Sequence, residues 1–250
     1  MKLTRRVIKS KRLSQQKKDE KKEKNYIGVA MGSGLMLLLI NGIWPESIPI
    51  TSRSVWTVHG HLSEWLSIST PLFVWGFLVT LVLSLSHRMS WRERQVHAGH
   101  KLVLGLIVSI WAGVVEEVCF RWLIFLPAIA TTKLSNWFFF GWAGFGISEW
   151  FHLNVWGPIA DYTTGGYLHG DLFHVDSFAV GAALLYTNAM FRDGHKYLGI
   201  IGVLNSWFLG MFFFYLMLNY GLLSAILVHF AYDAIVFSTA ALVHSWRNDL

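Results

Sequence analysis

Residues 116–121 read EEVCFR and lie in the middle of an apolar run, residues 102–130, that is long enough to cross a membrane as one helix. Each ionised side chain at the centre of a bilayer costs roughly 2.5–3.5 kcal/mol on insertion scales. Two glutamates and an arginine in this short stretch are too costly for a helix that faces lipid. The stretch therefore predicts a helix that faces a polar cavity inside a bundle, and such a cavity is a candidate functional site.

The composition is that of a membrane protein. Of the 250 residues, 54% are hydrophobic and 14% are charged, whereas soluble domains carry about 25% charged residues. We predict an all-α, polytopic transmembrane helix bundle with about six to eight membrane segments. The apolar runs that predict these segments are residues 26–44, 66–86, 102–130, 137–152, 197–218 and 222–244, with a shorter run at 178–191.

The charges are distributed unevenly along the chain. Residues 1–24 hold 11 of the 21 lysines and arginines and have a net charge of +8, and residues 87–101 are also basic. Basic segments next to membrane helices stay on the cytoplasmic side and attract anionic headgroups. We expect a multi-pass protein of the plasma membrane with a cytoplasmic N-terminus, and no nucleic-acid partner. Residues 153–176 conflict with simple alternation, which puts this acidic loop on the cytoplasmic side although it has no lysine or arginine.

The chain divides into three parts by this interpretation. Residues 1–24 form a polybasic cytoplasmic tail, residues 25–100 form two membrane helices with a basic loop, and residues 101–246 form the core that carries the polar site.

Helix geometry separates the two glutamates of the central stretch. Glu117 and Arg121 are four residues apart, so they share a helix face and can form an ion pair. Glu116 points about 100° away. A purely structural ion pair would account for Glu117 and Arg121, but it leaves Glu116 without a role.

The last apolar run supplies a second pair of polar residues, His229 and Asp233, which are four apart on one face near mid-membrane. This pair could be a helix–helix hydrogen bond. Together with Glu116 from another span, it could instead form a shared polar site.

A third pair, Glu149 and His152, lies at the end of the predicted fourth span. His152 could also be an ordinary interfacial residue, and we interpret the other histidines, including His195, as loop or interface positions. Carboxylates and imidazoles together inside a membrane suit the activation of water, because the carboxylate accepts a proton and the imidazole orients the water.

At these residues the chain resembles the CAAX-prenyl-protease and bacteriocin-processing (CPBP, or Abi) family of intramembrane peptidases. That family carries EExxxR, FxxxH and then HxxxN or HxxxD, in this order along the chain. Residues 116–121 match the first motif, and His229 with Asp233 matches the third. The resemblance covers residues 101–236. Aligned on Phe145, the histidine position of the second motif falls on Glu149, and His152 lies one helical turn later.

The resemblance implies an all-helical intramembrane endopeptidase that cleaves a peptide bond of a membrane-associated or prenylated substrate. It implies that Glu116 is the general base for the attacking water, assisted by His152 or Glu149. It also implies that His229 orients water or stabilises the oxyanion with support from Asp233. The implied catalytic residues are Glu116, His152, His229 and Asp233, with Glu117, Arg121 and Glu149 in supporting roles.

The resemblance leaves the question of a cofactor open, since family members are described both as glutamate-dependent and as metal-dependent. We favour water activation without a metal. A divalent cation such as zinc would be held by Glu116, Glu149, His152 and His229.

Two rival functions fit the same residues. A non-catalytic relative would act as a membrane scaffold or an immunity-type binding protein. A transporter or channel would use the buried glutamates and histidines as a proton relay.

Overall fold

A computed structural model describes residues 28–51, 53–85, 102–174 and 177–248. The structure is 86% helical and contains no strand in these residues, so the predicted all-α class is confirmed. The predicted polybasic tail and the basic loop at residues 87–101 lie outside the described residues.

The helices are connected mostly by short turns. A π-helical turn, Val118–Ile124, joins α4 to α5, and a second, His152–Trp156, joins α6 to α7. In chain order the helices are α1 Gly28–Ile43, α2 Leu62–Ile68, α3 Thr70–Leu85, α4 Leu102–Glu117, α5 Phe125–Phe138, α6 Ile147–Phe151, α7 Gly157–Thr163, α8 His169–Leu172, α9 Phe178–Gly194, α10 Gly199–Tyr220 and α11 Leu222–Asn248.

Two helical segments are long and apolar enough to cross a membrane by themselves. They are Lys196–Tyr220, which contains α10, and Leu222–Val243 within α11. Helices α2 and α3 pass the same test together, although they meet at a bend of 53°. Two or three candidate spans among the described residues are consistent with a membrane protein.

The predicted span at residues 137–152 is wrong. Helix α5 ends at Phe138, and the chain then turns through left-handed backbone at Phe140 (φ 66°) and Gly144 (φ 85°). The backbone N–H of Ile147 donates to the carbonyl of Phe139 at 3.1 Å and closes this turn. The segment is apolar, but Phe140 adopts left-handed backbone directly after α5, and Gly144, which tolerates positive φ, ends the following 3₁₀ turn Gly141–Ala143.

Close backbone packing brings the central polar stretch to the middle of the bundle. A β-carbon at Gly113 in α4 would lie 3.1 Å from the carbonyl oxygen of Ile226 and 3.2 Å from the backbone nitrogen of Phe230, both in α11. A glycine at this point thus allows α4 to approach α11 closely. Helix α9 packs against α5 and α10, and α10 packs against α11. Polar residues from α4, α9 and α11 consequently meet in one region.

Candidate functional site

Glu117 is the buried centre of the polar site. Its side chain has no solvent exposure, and its Oε2 lies 3.2 Å from Nε of Arg121, as the sequence predicts. Its Oε1 lies 2.8 Å from Nδ1 of His229 in α11. Because an ionised carboxylate only accepts hydrogen bonds, His229 donates from Nδ1. Glu117 therefore connects the π-helical turn to α11.

The Arg121 guanidinium is enclosed by aromatic rings. Its Cζ lies 4.4 Å from the ring centroid of Phe191 in α9 and 5.1 Å from that of Phe214 in α10. Its Nη2 donates to the backbone carbonyl of Gly210 at 3.3 Å. Cation–π contacts of this kind stabilise a desolvated guanidinium by about 2 kcal/mol or more. Arg121 and Glu117 thus connect the end of α4 and the π-helical turn to α9, α10 and α11 from the inside of the bundle.

His229 is held in one orientation by its neighbours. Its ring stacks on Phe213 with centroids 4.6 Å apart and an interplanar angle of 18°. Since Nδ1 bonds Glu117, Nε2 faces Asp233, whose Oδ2 is 3.7 Å away. The predicted His229–Asp233 pair is thus present at a distance longer than a direct hydrogen bond.

Glu116 is placed differently from its neighbour. Its side chain is 31% exposed, and its Oε2 lies 3.9 Å from Nε2 of His195, which is 22% exposed. This separation exceeds hydrogen-bond length. Although the side chain as a whole is partly exposed, Oε2 itself is a buried atom and has no hydrogen-bond partner within the described part of the chain. His195 Nδ1 lies 2.8 Å from the backbone carbonyl of Phe191. A carbonyl only accepts, so a neutral His195 ring keeps its proton on Nδ1 and presents a bare Nε2 to Glu116.

Asp233 joins the partly exposed side of the site. Its side chain is 22% exposed, and it interacts electrostatically with Glu116 and His195 as well as with His229. The structure thus brings together two histidines and three carboxylates, of which only Glu117 is completely enclosed.

His195 is the site residue that the sequence interpretation missed. It follows the end of α9, one helical turn after the Phe191 ring that covers Arg121. The signal was present, because Phe191 and His195 have the FxxxH spacing of the second motif. His195 lies just beyond the apolar run at residues 178–191, so it was interpreted as a loop residue, and the second motif was aligned on Phe145 instead.

Glu149 and His152 have partners of a different kind. The backbone N–H of Glu149 donates to Asn136 Oδ1 at 2.9 Å. His152 is buried, and its Nε2 lies 2.8 Å from the backbone carbonyl of Leu172, to which it donates. These contacts tie the loop at residues 139–174 to itself and to α5. The contacts of Glu149 and His152 are thus with this loop and α5, and the histidine opposite Glu116 is His195.

The four predicted metal ligands, Glu116, Glu149, His152 and His229, do not form one donor set. No group of three or more His, Cys, Asp or Glu side chains that could hold a metal ion occurs within residues 28–51, 53–85, 102–174 and 177–248. These four donors therefore do not fit a zinc site.

Asp193 stabilises the turn that carries His195. It accepts a hydrogen bond from Lys196 Nζ at 2.7 Å and another from Arg192 Nε at 2.9 Å. These hydrogen bonds keep the pKa of the Asp193 carboxyl below its usual value, and the bond from Lys196 has the larger effect. The turn between α9 and α10 is therefore bracketed by charged groups on both sides of His195.

Comparison of the chain with protein-family models, with curated proteins and with solved structures gives no match. The function of the protein is therefore inferred from the residues and their geometry.

Proposed function

We propose that the protein is an intramembrane endopeptidase of the CPBP type, which cleaves a membrane-associated or prenylated peptide with water activated by Glu116 and His195. One observation carries the proposal: of two adjacent glutamates, Glu117 is enclosed by its partners, whereas Glu116 is partly exposed opposite a histidine at 3.9 Å. An ion-pair network that only stabilises the bundle does not need the second carboxylate.

The order of the motifs supports the same proposal. The EExxxR stretch at residues 116–121 comes first, Phe191 with His195 follows, and His229 with Asp233 comes last. Residues of all three contact one another, since Phe191 covers Arg121 and His229 bonds Glu117. The chain thus carries all three motif spacings in the family's order, with aspartate at the last position.

The first chemical step is proton removal from water. We place the attacking water so that it donates one hydrogen bond to the Glu116 carboxylate and another to His195 Nε2, which bridges a gap too long for direct contact. Because Glu116 Oε2 is buried, a side-chain movement admits this water when substrate binds. Glu116 takes one proton as the water oxygen attacks the peptide carbonyl carbon. The carbon–oxygen bond forms as the carbonyl π-electrons move onto its oxygen.

The second step requires a donor for that oxyanion and a proton for the leaving amine. We assign a proton to each ring nitrogen of His229, because Nδ1 faces Glu117 and Nε2 faces Asp233. The Nε2–H then donates to the oxyanion. As the carbonyl re-forms, the carbon–nitrogen bond breaks and protonated Glu116 returns its proton to the amine. Water and peptide thus yield one carboxylic acid and one amine.

The membrane arrangement that we propose has about six crossings, because the run at residues 137–152 is removed from the predicted set. The acidic loop at residues 153–176 then lies on the side opposite the basic loop at residues 87–101, which resolves the conflict in charge distribution. Arg192 and Lys196 fall on the cytoplasmic side with the N-terminus. The plasma membrane is the location that we infer.

The test is substitution of Glu116 by Gln at matched abundance in the membrane, with Glu149→Gln as the matched control. New peptide termini in the membrane proteome, quantified by mass spectrometry, report cleavage of whichever substrate the protein has. We expect the wild type and Glu149→Gln to produce the same set of termini and Glu116→Gln to lose it. If all three proteins give identical termini, the peptidase proposal fails.

The non-catalytic alternative is favoured by one feature, namely that Glu116 and His195 are close enough to act as a second interhelical ion pair. A scaffold of this kind would keep its binding partner in Glu116→Gln. Recovery of the same cross-linked partner by wild type and variant, without any change in termini, would support it.

A further inference from the structure

Residues 137–156, which we name the aromatic hairpin, expose an unusual number of large aromatic side chains. The hairpin comprises the end of α5, the turn after it, α6 and the second π-helical turn. Each of its phenylalanine and tryptophan side chains is at least 44% exposed. They are Trp137, Phe138, Phe139, Phe140, Trp142, Phe145, Trp150, Phe151 and Trp156.

The aromatic hairpin has a defined shape. The rings of Phe140 and Phe145 stack with centroids 5.8 Å apart. The side chain of Asn136 bonds both the backbone and the carboxylate of Glu149, at 2.9 and 3.3 Å. The single acidic side chain of the hairpin is thus tied to α5, and the aromatic rings are presented by a closed turn.

Position along the chain places the aromatic hairpin at the limit of the bilayer. From Leu102 to Phe138, α4, the π-helical turn and α5 have a combined helical length of about 55 Å at 1.5 Å per residue. The hydrocarbon core is only about 30 Å thick. The last part of α5 also contains Lys133 and Asn136. A helical path longer than the hydrocarbon core, with polar residues near its end, favours a position of the hairpin outside that core.

The backbone of the hairpin is unsuited to the hydrocarbon core, and its side chains are unsuited to bulk water. Irregular backbone, such as the 3₁₀ turn Gly141–Ala143, is not tolerated in contact with lipid hydrocarbon, because its polar groups need partners. Nine exposed phenylalanine and tryptophan side chains in one short segment are equally unfavourable in water. The boundary between headgroups and acyl chains satisfies both requirements, and aromatic rings are enriched there.

We propose that the aromatic hairpin is a membrane-interface anchor whose rings insert into the headgroup–acyl boundary on the side opposite the basic loop. The occupant of this surface is the lipid bilayer, which any protein with membrane-crossing helices necessarily contacts. The anchor is independent of the proposed peptidase activity, since it uses none of the residues of the polar site. Its function is to fix the height and the tilt of α5 and, through it, of the π-helical turn that carries Arg121.

Depth measurement by spin labelling tests the anchor in the full-length protein. In a Cys119→Ser background, which removes the single native cysteine, a nitroxide is attached at Trp142→Cys or Phe145→Cys, which are 66% and 65% exposed in the native protein. Phe208→Cys in α10 is the hydrocarbon reference. Collision with oxygen and with a water-soluble nickel chelate in phosphatidylcholine–phosphatidylglycerol vesicles gives the depth of each label.

We expect both hairpin labels about 5–10 Å inside the headgroup region, accessible to both relaxing agents, and the Phe208 label accessible to oxygen almost alone. Two results would overturn the anchor. Hairpin labels with the nickel accessibility of an aqueous nitroxide would place the surface in water, free for a protein partner. Labels as deep as Phe208 would make the segment a true crossing. Two label positions are used so that the test still stands if one of the two variants fails to fold.

Discussion

Glu116 and Glu117 are neighbours in sequence, yet they occupy two different regions of the molecule. The first region is the buried network of Glu117, Arg121 and His229, where every charge is covered by aromatic rings or a partner. The second is the partly exposed edge formed by Glu116, His195 and Asp233, where the polar groups are 3.7 Å or more from their nearest charged partners. One helical step of about 100° therefore separates a fully buried carboxylate from one whose side chain is partly exposed.

The largest effect is expected from Glu117→Gln, which breaks the buried network. Removal of one partner leaves Arg121 as an uncompensated buried charge, and such changes cost about 3–5 kcal/mol. Thermal unfolding in detergent, followed by circular dichroism, measures the loss. Glu116→Gln serves as the comparison and should unfold within about 1 kcal/mol of the wild type. Equal destabilisation by both variants would abolish the distinction between the two regions.

The second prediction compares two histidines. His195→Gln removes the imidazole that faces Glu116 and should reduce the rate of cleavage about 100-fold, the lower end of general acid–base effects. His152→Gln removes a ring that bonds Leu172 in the loop, so its rate per folded molecule should stay within about threefold of the wild type. Rates of terminus formation, normalised to folded protein, provide the measurement. The opposite ranking would restore His152 to the site and exclude His195.

The third prediction concerns the packing that supports the buried network. A β-carbon at Gly210 would overlap the side-chain oxygen of Asn188 and come within 2.9 Å of Phe191. Gly210→Ala should therefore displace the ring that covers Arg121 and destabilise the protein by about 1–3 kcal/mol.

Gly170→Ala is the matched control for Gly210→Ala, because nothing lies within 4 Å of its added β-carbon. Unfolding midpoints of the two variants are compared under identical detergent conditions. If the two variants are equally stable, α9 and α10 do not need this close approach.

The smallest effect is a pH dependence outside both regions, at Asp171 in α8. Burial raises the pKa of its carboxyl to about 6. The charged form is disfavoured in the folded protein, so this group lowers stability above pH 6, and the penalty disappears as the pH falls through 6 towards 4. Asp171→Asn should stabilise the protein by about 1 kcal/mol at pH 8, since the carboxyl is only half-buried, and should have no effect at pH 4.

The control for this prediction is Asp193→Asn, whose carboxyl has the opposite pKa shift. It should not stabilise the protein at pH 8, because the charged form of Asp193 is favoured by Lys196 and Arg192. Unfolding curves between pH 4 and pH 8 distinguish the two. Stabilisation that is equal at both pH values would mean that the Asp171 effect is not due to its charge.

Much of the fold could be predicted because it depends on local properties of the chain. Apolar run length predicts α10 and α11, and four-residue spacing predicts the Glu117–Arg121 and His229–Asp233 pairs. The run at residues 137–152 was misassigned because its apolar content resembles a span, whereas α5 ends at Phe138 and a turn with left-handed backbone at Phe140 and Gly144 follows. Hydrophobicity alone does not distinguish a crossing from an interfacial turn.

The sequence by itself determined the helical class and the membrane setting. It also determined that the charged side chains of EEVCFR at residues 116–121 need polar partners inside the bundle. These conclusions follow from burial costs and helix periodicity. Only the tertiary structure decided which residues are those partners. Helices α9 and α11 are far from α4 along the chain, and their close packing directs His229 towards Glu117 and His195 towards Glu116. The division between a buried network and an accessible edge arises from that packing, since solvent exposure is a property of the assembled bundle.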